Sequence, residues 1–183
     1  MQSPECHASP SIWPLALLLA ASLTSAARAE VPEPATDPTT VPIGYLKQGV
    51  KRFIPLSRLT VEPDDLGVAG AEIALKDNNT TGRFTKQAFT LDVERVKVGG
   101  DAVAALQKLV ESGHRFVLVE GPAETLLRLA DWAKGKEVLL FNVRAPEVSL
   151  RQEDCRTNVL HTAPDRAMLA DALAQYLVWK RWS

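Results

Sequence analysis

Cysteine is scarce in this chain: Cys6 and Cys155 are the only two in 183 residues. Two thiols are too few for a disulfide scaffold or a four-cysteine zinc site. An excess of one charge sign is also lacking, because 21 Lys and Arg face 22 Asp and Glu. That balance excludes a general nucleic-acid binder, which needs surplus positive charge against phosphate. No apolar run reaches the roughly 20 residues that a bilayer-spanning helix requires. The signature of disorder is missing as well. Hydrophobic residues make up 46% and charged residues 23%, so most of the chain is expected to fold.

What is present begins with an apolar stretch from Ile12 to Leu23, followed by small residues that fit an A-x-A cleavage site ending at Ala29, before Glu30. This predicts a secretory signal peptide over 1–29, although the residues ahead of the apolar stretch contain no Lys or Arg. No Cys directly follows the stretch, which favours release as a soluble protein over lipid anchoring. Cleavage leaves Cys155 as a lone thiol, expected to be buried rather than catalytic. Residues 30–42 carry prolines 32, 34, 38 and 42 among acidic residues and threonines, the composition of a stiff extended linker. Residues 43–183 form the expected folded domain.

Within that domain short apolar runs alternate with helical periodicity. Val41 to Leu46 is a candidate first strand. A helix capped by Asp64 or Asp65 places Leu66, Ala69, Gly70, Ile73 and Ala74 on one face, and the Asn78-Asn79-Thr80-Thr81-Gly82 cluster is expected to stop it. Further strands are predicted at Ala88–Val93, Phe116–Val119, Val138–Phe141 and Thr157–Leu160. Helices are predicted after Gly99-Gly100-Asp101, with Leu106 and Leu109 inward, and after Gly121-Pro122, with Leu126 and Leu129 inward. The last helix follows Thr162-Ala163-Pro164-Asp165, a capping-box pattern, with Met168, Leu169, Ala172, Leu173, Tyr176 and Leu177 at helical spacing. Strands alternating with helices imply an α/β fold of three layers, a parallel sheet of about five strands in the order 2-1-3-4-5. Ligands of such sheets lie outside the carboxyl ends of the strands, so the loops to search open at Lys47, Glu120, Asn142 and His161.

Those loops hold little chemistry of a recognisable kind. Neither G-x-G-x-x-G nor GxxxxGK[ST] is present, which removes the dinucleotide and phosphate-loop motifs. His114 and His161 have no Cys or carboxylate at zinc-ligand spacing. There is no Gly-x-Ser-x-Gly elbow and no Ser/His/Asp set in suitable loops, so enzyme chemistry has no support and the protein is expected not to be an enzyme. Arg144 either clamps a carboxylate or pairs with Glu147 or Asp154 on the surface. His161, leaving a strand toward a helix, either meets a ligand or makes a structural hydrogen bond. Thr162 either caps that helix or offers its hydroxyl to a ligand.

The export signal, Ile43-Gly44-Tyr45, the helix Gly70-Ala71-Glu72-Ile73-Ala74 running into Asp77 to Gly82, and the strand-to-helix series up to Trp182 resemble the amino-terminal lobe of type I periplasmic solute-binding proteins of branched-chain amino-acid ABC transporters. Leu140-Phe141-Asn142-Val143, Leu150-Arg151 with Cys155, His161-Thr162, and Asp171 to Leu177 with Lys180-Arg181-Trp182 are similar to the subfamily associated with the pyrroloquinoline-quinone-dependent alcohol dehydrogenase system. The resemblance implies one lobe of a two-lobed receptor, in the periplasm, that hands a small-molecule solute to an ABC permease. It implies a ligand at Lys47, Glu120, Asn142, Arg144, His161 and Thr162, with no cofactor unless pyrroloquinoline quinone is itself the ligand. Amino-acid-binding members present Ser and Thr hydroxyls after the third and fourth strands. Here those loops read Glu120-Gly121-Pro122-Ala123 and Asn142-Val143-Arg144-Ala145-Pro146, so an ordinary branched-chain amino acid is not expected. Convergence of Lys47, Arg144 and His161 on the cleft suits an anionic, multi-carboxylate solute, unless Glu120 in the same row of loops neutralises them. The other expectation is a ligand-free accessory protein that docks on a periplasmic quinoprotein dehydrogenase.

Overall fold

Five parallel strands make one sheet in the order β2-β1-β3-β4-β5, in a computed structural model that describes residues 37–51 and 63–182. The strands are β1 (Thr39–Gln48), β2 (Gln87–Val96), β3 (Phe116–Glu120), β4 (Leu139–Asn142) and β5 (Val159–His161). The helices are α1 (Leu66–Thr85), α2 (Ala102–Glu111), α3 (Ala123–Ala133) and α4 (Arg166–Trp179). The predicted α/β class and strand order are therefore observed. The expected signal segment 1–29 lies outside the described residues, as does most of the expected linker.

The linker ends earlier than its prolines suggest. β1 starts at Thr39, so residues 39–42 belong to the sheet. Pro42 is tolerated because β3 begins only opposite Ile43. At Pro42 the strand has β2 alone as a neighbour, the edge-like setting in which a strand accepts a residue without an N–H.

Alternation along the strands sends successive side chains to opposite faces. Leu46, Val117, Val119 and Leu140 point to one face, where they pack with Leu106 and Leu109 of α2 and Leu126, Leu129 and Ala130 of α3 into a dry core. Asp101 caps α2 by accepting from the Val103 and Ala104 amides, as the Gly-Gly-Asp sequence predicts. On the opposite face α1 packs chiefly on β2. It does not stop at Asn78–Gly82 but runs to Thr85. The reason is that these residues satisfy themselves within the helix or across to the sheet. Asn78 Nδ2 donates to the Ala74 carbonyl at 2.8 Å and Thr80 Oγ1 to the Lys76 carbonyl at 3.1 Å. Asn79 bridges to β2, donating to the Phe89 carbonyl at 2.9 Å and accepting from the Phe89 amide at 2.7 Å. Gly82 is buried, and a Cβ there would lie 2.2 Å from the Gln87 carbonyl oxygen. The inward face of α1 is consequently Gly67, Val68, Ala71, Leu75, Asn79 and Gly82, while Leu66, Gly70, Ile73 and Ala74, four of the five residues expected to share the apolar face, are exposed.

Two further features concern the carboxyl-terminal third. β4 and β5 are joined through a single 3-10 turn, Val148–Arg151, rather than an α-helix. α4 is capped by Asp165, which accepts from the Met168 amide at 2.8 Å, and not by Thr162 as the capping-box pattern implies, and none of its residues is buried. Its apolar side, Leu169, Leu173, Tyr176 and Trp179 included, stays in water. Among the described residues no helix is long and apolar enough to cross a membrane.

Candidate functional site at the strand ends

Three strand ends meet around one buried carboxylate. Lys47 of β1 stands in register with Glu120 of β3 on one side and with Arg95 of β2 on the other, so all three project from the same face of the sheet. Glu120 is buried. Its Oε1 accepts from Lys47 Nζ at 2.8 Å and from Arg144 Nη1 at 2.9 Å. Its Oε2 accepts from the Tyr45 hydroxyl at 2.7 Å and from Lys47 Nζ at 2.9 Å. Burial pushes the Glu120 carboxyl up, but the hydrogen bonds and charges of Lys47, Tyr45 and Arg144 outweigh it and hold the carboxyl below its ordinary value. Burial, reinforced by the bond to Glu120, pushes the Tyr45 phenol up, so it stays protonated and donating.

Arg144 reaches Glu120 because the turn after β4 is built for it. Asn142 is fully buried, and its Oδ1 accepts from the Arg144 amide at 3.1 Å and the Ala145 amide at 2.8 Å. Its Nδ2 donates to the Ala145 carbonyl at 2.7 Å and to His161 Nδ1 at 3.0 Å. A single side chain thereby closes the 142–145 turn and aims Arg144 back across the sheet. His161 accepts on Nδ1, which requires the neutral ring. Burial and the nearby Arg151 charge lower its pKa in agreement. Thr162 also serves Asn142, donating from both its amide, at 3.0 Å, and its hydroxyl, at 3.1 Å, to the Asn142 carbonyl.

The six residues singled out from sequence thus separate into two groups. Lys47, Glu120 and Arg144 come together and line open space. Asn142, His161 and Thr162 form a hydrogen-bonded support behind them, and Thr162 is not the cap of α4. Arg144 pairs with neither Glu147 nor Asp154; Glu147 takes Arg166 at 3.4 Å instead. Sequence reasoning missed Tyr45, Arg95 and Gly67. Tyr45 lies two residues before Lys47 on the same strand face, a period-2 signal that was available. Gly67 brings the first turn of α1 so close that a Cβ would sit 2.3 Å from the Tyr45 hydroxyl and 2.7 Å from Glu120 Oε2.

Two cavities flank the cluster and share Lys47, Glu120 and Arg144. One, of about 400 Å³, continues along apolar side chains, Leu66, Ala71, Leu118 and Val143. The other, of about 420 Å³, is bordered by Gln48, Gly49, Asp64 and Arg95. Both sizes suit a small solute. Among the described residues no three His, Cys, Asp or Glu side chains are grouped to hold a metal ion.

The family model of the periplasmic binding proteins matches residues 64–182. The chain belongs to the periplasmic binding protein family. Solved structures agree on the fold, which matches one lobe of the type I architecture. An ABC transporter substrate-binding protein from Desulfitobacterium hafniense superposes with a TM-score of 0.56 at 15% identity, over 79% of this chain and 39% of that one. The leucine-, isoleucine-, valine-, threonine- and alanine-binding protein of Brucella ovis, in its closed conformation, gives 0.57 at 16% identity, over 77% and 36%. This chain therefore spans less than two fifths of the length of either. No curated protein matches it in sequence. The place of the cluster is the one that a parallel sheet with this strand order offers to ligands, the carboxyl ends of its strands.

Proposed function

We propose that the chain is a solute-binding lobe of an extracytoplasmic receptor for an ABC importer, exported to the periplasm by the 1–29 signal and delivering its solute to a membrane permease. The observation that carries this reading is the convergence of Lys47, Glu120 and Arg144 at the carboxyl ends of β1, β3 and β4, beside cavities of solute size. The family supplies the class of protein, a binder rather than a catalyst. The finer assignment rests on the sequence resemblance: the receptor serves the pyrroloquinoline-quinone-dependent alcohol dehydrogenase system, and its solute is an anion, with pyrroloquinoline quinone as one candidate. The cluster supports an anion, since three cationic side chains face the two cavities against two acidic ones.

A second reading is favoured by the unburied apolar side of α4, a surface on which an accessory protein could dock to a quinoprotein dehydrogenase. Thermal-shift measurements on the full chain separate the two, using a panel of amino acids, alcohol-derived carboxylic acids and pyrroloquinoline quinone. The receptor reading expects a rise in Tm with an acid, and loss of that rise in Arg144→Ala. No shift with any solute, together with capture of the dehydrogenase on the immobilised chain, supports the accessory reading.

A further inference from the structure

On the reading that this site binds a solute, we infer that it selects an organic acid that carries no ammonium group, with one carboxylate at the cationic end and an apolar body beyond it. The argument is one of donors and acceptors. A carboxylate offers about four lone-pair positions, and Glu120 has all of them occupied by Tyr45, Lys47 twice and Arg144. It therefore positions two cations and has no acceptor left for a solute's N–H. Asp64 borders the second cavity and not the apolar one. Gln48 has an unpartnered Oε1, but that atom is enclosed and out of a solute's reach. Among the described residues that line the apolar cavity Glu120 is the one carboxylate, and it has no position left for an ammonium group.

Donors, in contrast, are in surplus. Arg144 spends Nη1 on Glu120 and leaves 43% of its side chain in solvent, with further guanidinium N–H groups in a geometry that matches a carboxylate. Arg95 stands in register beside Lys47 and is exposed. A carboxylate resting on Arg144 directs the remainder of its molecule along Leu66, Ala71, Leu118 and Val143. An α-ammonium on the same molecule would be desolvated next to Lys47 and Arg144 with no free carboxylate of that cavity to pair with, which disfavours binding.

Three probes with the same branched apolar body test this on the full, isotope-labelled chain by amide chemical-shift titration: 4-methylpentanoate, leucine, which adds the α-ammonium, and 3-methylbutylamine, which is leucine without its carboxylate. The expected result is that 4-methylpentanoate moves the amides of Lys47, Glu120 and Arg144, that leucine binds at least about tenfold more weakly, that the amine gives no response, and that Arg144→Met loses the response to the acid. Leucine binding as tightly as 4-methylpentanoate, or the amine binding at all, overturns the selectivity while leaving a solute site in place. Silence of these amides toward all three probes overturns the solute-site reading and the selectivity with it.

Discussion

Glu120 is the residue on which the strand ends depend. Replacing it with Gln leaves Lys47 and Arg144 facing each other without a countercharge. Because Lys47 is largely enclosed and Arg144 is half wet, the expected loss is about 2 to 3 kcal/mol, below the figure for a wholly buried pair. Urea unfolding of the wild type and Glu120→Gln measures it; a loss within experimental error contradicts the role assigned to the cluster. The same carboxyl gives a pH dependence. Its folded pKa is depressed from the ordinary 4.5, so its contribution is present above that value and disappears as pH falls through the depressed one. His161 acts in the same direction at higher pH. Its folded pKa lies below 6.5, so the unfolded chain binds the proton first, and stability declines as pH falls from about 6.5. Unfolding curves from pH 8 to 4 are expected to show this upper decline in the wild type and its absence in His161→Gln. None of these partnerships was legible residue by residue: Tyr45 and Glu120 are 75 positions apart, and only the strand register brings them together.

At the scale of elements, the helices divide by what they bury. Leu129 of α3 is fully buried, whereas Leu173 of α4 is 60% exposed. Leu129→Ala is expected to cost about 2 to 5 kcal/mol, and Leu173→Ala to change stability by no more than about 0.5 kcal/mol. Equal losses in denaturant unfolding would mean that α4 packs on the sheet in solution. The glycines of α1 make a second contrast. Gly67→Ala forces a methyl group onto Tyr45 and Glu120 and is expected to cost about 1 to 3 kcal/mol. Gly70→Ala meets nothing within 4 Å and is expected to stabilise the helix by up to about 1 kcal/mol. Thermal unfolding of the two variants checks the opposite signs. Periodicity located α2 and α3 because their inward stripes are apolar. It misplaced the inward face and the end of α1, because that helix meets the sheet through glycine, alanine and an asparagine bonded to β2. It overstated α4, since an apolar stripe reports what a helix is able to bury and not whether anything covers it.

For the whole molecule, the strand order followed from the alternation of strands and helices and from the handedness of parallel crossovers, and its rule about strand ends pointed to the loops where Lys47, Glu120 and Arg144 meet. The charge of the site was legible only in part. Lys47 and Arg144 were marked as cations and Glu120 as a neutralising neighbour, but the turn that Asn142 closes, and with it the direction of Arg144, depends on His161 and Thr162 from a strand added later in the chain. The sheet also keeps Phe116 and Leu160 exposed on the α1 side, with Phe116 and Phe141 in ring contact at 6.5 Å, a face that α1 does not reach. The central claim is that a solute is held by its acid group at the ends of β1, β3 and β4. Calorimetric titration of the wild type and Arg144→Ala with the acid that gives the largest thermal shift tests it most directly. The account predicts a loss of roughly 2 kcal/mol in the variant, the low end for one partner of a charge pair because the arginine is half in water. Unchanged affinity in Arg144→Ala would contradict it.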